Sequence, residues 1–106
     1  MATGRLGVSD LAAAENVTLY TVPIGTFSVI SVNLCNRSNQ ACNVRVAIST
    51  SASPTNAEFI EFDTELLGKG VLERTGIIMN AGQRLVVYSN AAGVSAVAFG
   101  IETPQN

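Results

Sequence analysis

From Thr26 to Ser49 apolar and polar side chains alternate with a period of two on either side of a polar tip. Ile30, Val32 and Leu34 occupy every second position, with Ser31 and Asn33 between them. Beyond the tip, Val44, Val46 and Ile48 alternate with Asn43, Arg45, Ala47 and Ser49. A period of two puts one face of a β-ribbon in a core and the other toward water. The intervening NRSNQA, residues 36–41, is rich in side chains that make turns by hydrogen-bonding the neighbouring backbone. The stretch therefore reads as a long hairpin, which cannot bury its apolar face alone and calls for further strands.

Those strands are visible in the rest of the pattern. VTLYTV (17–22) is stopped by Pro23 and Gly25, and SASPTNA (51–57) reads as a loop. EFIEFD (58–63) is a short strand with Ile60 and Phe62 on one face, opposite Phe59 and Glu61. VLERT and IIM (71–79) are joined through a bulge at Gly76, and RLVVYS (84–89) and VSAVAFGIET (94–103) complete the set. The expectation is an all-β domain over residues 17–106. It is a seven-stranded antiparallel two-sheet β-sandwich, jelly-roll-like or immunoglobulin-like, in which no strand order can be read. Its expected core holds Ile30, Val32, Leu34, Val44, Val46, Ile48, Ile60, Phe62, Leu85 and Val87.

Residues 1–16 differ from the remainder of the chain. Leu6, Val8 and Leu11 have no consistent period, Gly4 and Gly7 interrupt any regular element, and Ser9 or Asp10 is placed to cap a short helical turn through Ala12–Ala14. The segment reads either as a frayed terminus or as an arm ordered against a neighbouring subunit. Three large aliphatics favour the arm. In the last strand Val94, Ala96 and Ala98 fill one face and Val97, Phe99 and Ile101 the other. A strand apolar on both faces is central in its sheet or lies at a subunit contact. Leu6, Val8, Leu11, Val97, Phe99 and Ile101 are accordingly the candidate interface residues.

Composition narrows the function classes. Only 13% of residues are charged against 47% hydrophobic, so the surface is either neutral-polar or partly covered by other subunits. The net charge of −2, with lysine and arginine scattered singly, gives no footprint for nucleic acid. No apolar run is long enough to span a bilayer, and no basic-then-apolar leader is visible. Histidine is absent, which removes the commonest general base and metal ligand. No nucleophile elbow or phosphate-binding glycine loop occurs. Glu58, Glu61, Asp63 and Glu65 form the densest acidic run and read as a solvated outer face with edge-protecting charges. The chain is expected to be no enzyme and to carry no cofactor or metal. Cys35 and Cys42 fall on opposite strand faces by parity, so free thiols are expected.

Three stretches together, YTVPIG at 20–25, SVNLCNRSNQACNVRVAIS at 31–49 and GVLERTGIIMNAGQRLVVYSNAAGVSAVAFGIE at 70–102, resemble small β-sandwich proteins of tailed-bacteriophage virions. The resemblance covers roughly residues 17–103 and rests on turn residues and alternating strands. It implies a virion location and the role of a capsid decoration (cement) protein, associating as a homotrimer and with the major capsid protein. A tail, baseplate or fibre component comes second. The rival from another class is a host-surface binding module acting through the loops at 36–41 and 51–57, which lack aromatic anchors.

Overall fold

The computed structural model describes residues 3–105; Met1, Ala2 and Asn106, the ends of the expected arm and domain, lie outside the described residues. Eight strands are present among them: β1 (Thr3–Leu11), β2 (Val17–Thr21), β3 (Thr26–Asn36), β4 (Cys42–Ser49), β5 (Phe59–Leu66), β6 (Val71–Met79), β7 (Arg84–Ser89) and β8 (Val94–Pro104). One 3-10 turn, Asn56–Glu58, precedes β5. The strands form two antiparallel four-stranded sheets, ordered β1-β8-β3-β6 and β2-β7-β4-β5. Every connection except β4–β5 carries the chain from one sheet to the other. This is the strand order of the eight-stranded jelly roll. The immunoglobulin-like alternative is excluded by the order itself.

Two expectations are corrected here. The alternating stretch 26–49 is no hairpin, because β3 and β4 belong to different sheets and face each other across the core. Both still direct their apolar side inward: Ile30, Val32, Leu34, Val44 and Val46 are all fully buried. The tip between them is a corner held by the buried Asn36. Its amide donates to the carbonyls of Gln40, Leu66 and Leu67, and its Oδ1 accepts from the Ser38 backbone and hydroxyl. Cys35 and Cys42, one in each sheet, are free thiols.

The second correction concerns residues 3–11, which form strand β1 rather than a separate arm. The strand lies along β8 from Thr3–Ile101 to Leu11–Val94. Its missing period comes from a bulge between Arg5 and Gly7. The extra residue lets both Leu6 and Gly7 turn toward the core, after which Val8 faces out and Leu11 is buried. Glycine is required here. A Cβ on Gly7 would sit 2.1 Å from the Leu19 carbonyl oxygen of β2, so only a bare backbone lets the two sheets close at this corner. Ala12–Ala14 form a turn and not a helix, with Ala14 in the left-handed region.

The core is lined by Leu11, Val22, Ile30, Val32, Leu34, Val44, Val46, Met79, Leu85, Val87 and Val94, each at most 1% exposed. Ile48 and Ile60 pack against it half-buried, whereas Phe62, expected inside, is 54% exposed. Tyr20 ties the sheets together through its hydroxyl, which donates to Glu102 at 2.6 Å while the Ser28 hydroxyl lies 2.6 Å away. Burial, reinforced by the Glu102 carboxylate, pushes the Tyr20 phenol up to about 12. At the opposite margin, Arg74 of β6 pairs with Glu61 of β5 at 2.6 Å, linking the edge strands of the two sheets.

Candidate functional site

The two outer faces of the sandwich carry the surface chemistry. On the sheet β1-β8-β3-β6, the alternation that buries Val94, Ala96 and Ala98 turns Val97, Phe99 and Ile101 outward. Register then decides their neighbours. Ile101 stands beside Val29, which stands beside Ile78, so three aliphatics form a row across β8, β3 and β6. Val97 lies between Val8 of β1 and Asn33 of β3, and Phe99 between Arg5 and Ser31. Val8, Val29, Ile78 and Ile101 are 41–69% exposed. The result is a continuous apolar band crossed by short polar residues and bordered by charges of both signs, Arg5 and Asp10 on β1 and Glu73 on β6.

Of the six candidate interface residues, the fold brings four together on this face: Val8, Val97, Phe99 and Ile101. Leu6 and Leu11 go the other way, Leu11 into the core and Leu6 against it. The reason is the β1 bulge, which reverses the facing of its aliphatics partway along the strand. Val29 and Ile78 belong to the band and were legible by parity, since each flanks a buried residue, Ile30 and Ile77 or Met79.

The outer face of the other sheet is built differently. Arg45 projects outward between Val44 and Val46, and Tyr88 stands beside it on β7. On the other flank, β5 carries two bulges against β4, one between its pairings with Val44 and Val46 and one between Val46 and Ala47. Phe59 and Phe62, three residues apart, would point to opposite faces of a regular strand. The extra residues bring both outward, with their rings 4.9 Å apart and nearly perpendicular. Asp63, next to Phe62, adopts a left-handed φ of 50°. Its carboxylate accepts from Arg45 Nε at 2.6 Å and holds the Arg45 guanidinium above its ordinary pKa. That guanidinium lies over the Phe62 ring at 4.3 Å and the Tyr88 ring at 4.5 Å.

Beside this stack Asn56, Phe59 and Phe62 line an open cleft of about 370 Å³. The segment that bears Asn56 is fixed by Glu58, whose Oε1 accepts from the Thr55 backbone N–H at 2.8 Å and the Ser49 hydroxyl at 2.9 Å. These donors, Thr55 foremost, hold the Glu58 carboxyl below its usual range. The acidic run is thus dispersed by the fold: Glu58 onto its own loop, Glu61 onto Arg74, and Asp63 onto Arg45. No group of three or more metal-ligating side chains occurs among the described residues. No helix among them is long and apolar enough to cross a membrane.

Comparison with protein-family models, with curated proteins and with solved structures found no match to this chain.

Proposed function

We propose that the protein is a structural component of a tailed-bacteriophage virion, and that it decorates the capsid shell by associating with copies of itself and with the major capsid protein. The observation that carries this reading is the apolar band Val8–Val97, Phe99 and Ile101–Val29–Ile78 on an open sheet face. Four strands at about 4.8 Å spacing and nine residues at about 3.3 Å each make a face of roughly 19 by 30 Å. Two such faces in contact bury an area near the ~1,000 Å² that a specific interface needs. Charges of both signs at its border let the face meet another copy without net repulsion. Another copy of the chain is therefore the occupant assigned to it. The jelly roll is shared by viral capsid proteins, lectins and cupins, so the fold is compatible with this setting without choosing it. The virion itself enters through the sequence resemblance.

Light scattering on the purified protein tests the self-association: like faces meeting each other close as a dimer, whereas the trimer that the resemblance implies needs the band to meet a different surface of the next copy. The double variant Val97→Ser/Ile101→Asn is expected to be monomeric with an unchanged circular dichroism spectrum. A wild-type protein that remains monomeric at high concentration would remove the basis for the assignment. Binding of the labelled protein to particles lacking it then separates head from tail. Binding to host cells alone would replace the virion reading with the host-surface module.

A further inference from the structure

We propose that β1 is an exchangeable strand: two copies of the chain swap residues 3–11, and each β1 fills the seat along β8 of the other copy. β1 stands at the edge of its sheet, paired with β8 alone. Of its nine residues only Leu11 is buried, while Leu6 packs half-buried against the core. A strand with so little buried surface opens more readily than those with a fully buried face. The seat it leaves is nonetheless specific. It consists of the β8 backbone from Val94 to Ile101, a notch at the Leu19 carbonyl into which Gly7 fits, and Arg37 as the ion-pair partner of Asp10. An open β8 edge exposes unpaired backbone groups, and the β1 of another copy matches that edge residue for residue.

What decides whose β1 is seated is the connection through residues 12–16, exposed throughout. In the closed chain Ala14 stands at φ 60°, in the left-handed region where glycine, asparagine or aspartate is the ordinary choice. Its N–H donates to the Ser89 carbonyl at 2.8 Å, which fixes the turn. LAAAE, residues 11–15, is composed of strong helix formers, so local preference and the closed turn conflict. Swinging β1 outward releases Ala14 from that conformation, and every contact of β1 is remade on the neighbour. A short hinge under strain is the arrangement that favours such exchange. Because closed and exchanged forms share the contacts of β1, the lost freedom of association is what opposes the exchange, and it weakens as concentration rises. The exchange uses a sheet edge rather than the apolar band, so it stands apart from association through that band.

The test is run in the Val97→Ser/Ile101→Asn chain, which lacks the apolar contact, with Cys35→Ser and Cys42→Ala to remove the native thiols. Ser9 of β1 and Ala96 of β8 are register partners, and both face the core side. Directly opposed antiparallel residues lie about 4.5–5.5 Å apart at Cα, within reach of a disulfide. Two copies stacked face to face do not bring this inward pair together. One protein carries Ser9→Cys and the other Ala96→Cys; the two are unfolded, mixed, refolded at rising concentration and oxidised. A disulfide heterodimer whose yield climbs with concentration is the expected result. Both substitutions in one chain should close within that chain at low concentration, which checks the geometry. Light scattering supplies a second readout. Deleting Ala12–Ala14 should lower the monomer–dimer midpoint about tenfold or more in concentration, and Ala14→Gly, which relieves the strain, should raise it. The proposal is overturned if no heterodimer forms at any concentration while the doubly substituted chain closes on itself. A folded deletion variant that stays monomeric overturns it as well. The two readouts use different variants, so misfolding of one leaves the other to decide.

Discussion

The two outer faces are made from the same kind of alternating strand, yet one is flat and the other is sculpted. On the sheet β1-β8-β3-β6, β8 and β3 pair without a break from Thr26–Pro104 to Asn36–Val94. Eleven consecutive pairings keep every second residue of both strands on the outer side, and the apolar ones line up into a band. On the sheet β2-β7-β4-β5, the edge strand β5 slips twice against β4. Each slip changes which residues face out, and the side chains that result are aromatic and cationic rather than aliphatic. The unbroken register of the central pair β8–β3, with bulges only where β1 and β6 join it, leaves a broad apolar surface. Broken register makes a local cleft beside a stacked Arg45. The edges of both sheets are protected from further strand addition by a short β2, a bulged β1 and charged β5 and β6.

The largest effect that probes this contrast is on what the faces share, the clasp between the sheets. Because burial and Glu102 raise the Tyr20 phenol to about 12 from its ordinary value of 10.0, its neutral form stabilises the fold. That contribution is complete below pH 10 and is lost as pH rises through 12. The loss amounts to roughly 2–3 kcal/mol across those two pH units. Chemical denaturation at pH 9 and pH 12 should show it in the wild-type protein, whereas Tyr20→Phe should be less stable at pH 9 and lose less between the two. Equal slopes would mean that Tyr20 does not link the sheets.

Next in size, Gly100→Ala should break the flat face while sparing the sculpted one. A Cβ there would stand 2.2 Å from the Val29 carbonyl oxygen and 2.7 Å from the Ile30 Cα, so β8 and β3 must part. A cost of about 1–3 kcal/mol is expected, as for overpacking elsewhere. Hydrogen exchange should quicken along β8 and β3 and stay slow in β4 and β7. A uniform loss of protection would show that the two faces are not separable.

The smallest effect sharpens the other side. Asp63→Asn keeps a residue that tolerates the left-handed conformation and removes the charge opposite Arg45. Because Asp63 is 44% exposed, the ion pair is worth less than about 1 kcal/mol to stability. The expected change is in the site rather than in the fold. The Arg45 Nε–H resonance, no longer donating to a carboxylate, should shift with the melting temperature almost unmoved.

Sequence alone determined which side of most strands is buried. In β3, β4 and β7 the burial of Ile30, Val32, Leu34, Val44, Val46, Leu85 and Val87 follows directly from a period of two, because a strand with one apolar face has one way to satisfy it. The same parity put Cys35 and Cys42 on opposite faces and Val97, Phe99 and Ile101 on one. Alternation says which face is covered, but it does not say which strand lies alongside. Only the tertiary structure decided that β3 and β4 oppose each other across the core, and that β1 pairs with the strand at the far end of the chain. It also decided where alternation fails. The bulges at Leu6 and at residues 60–63 carry no turn residue at the slip of β5 and leave only a weak trace at Gly7, so Leu6 and Phe62 defeat a parity reading in opposite directions. A bulge is fixed by the partner strand that must still be satisfied, and that partner is absent from the local sequence.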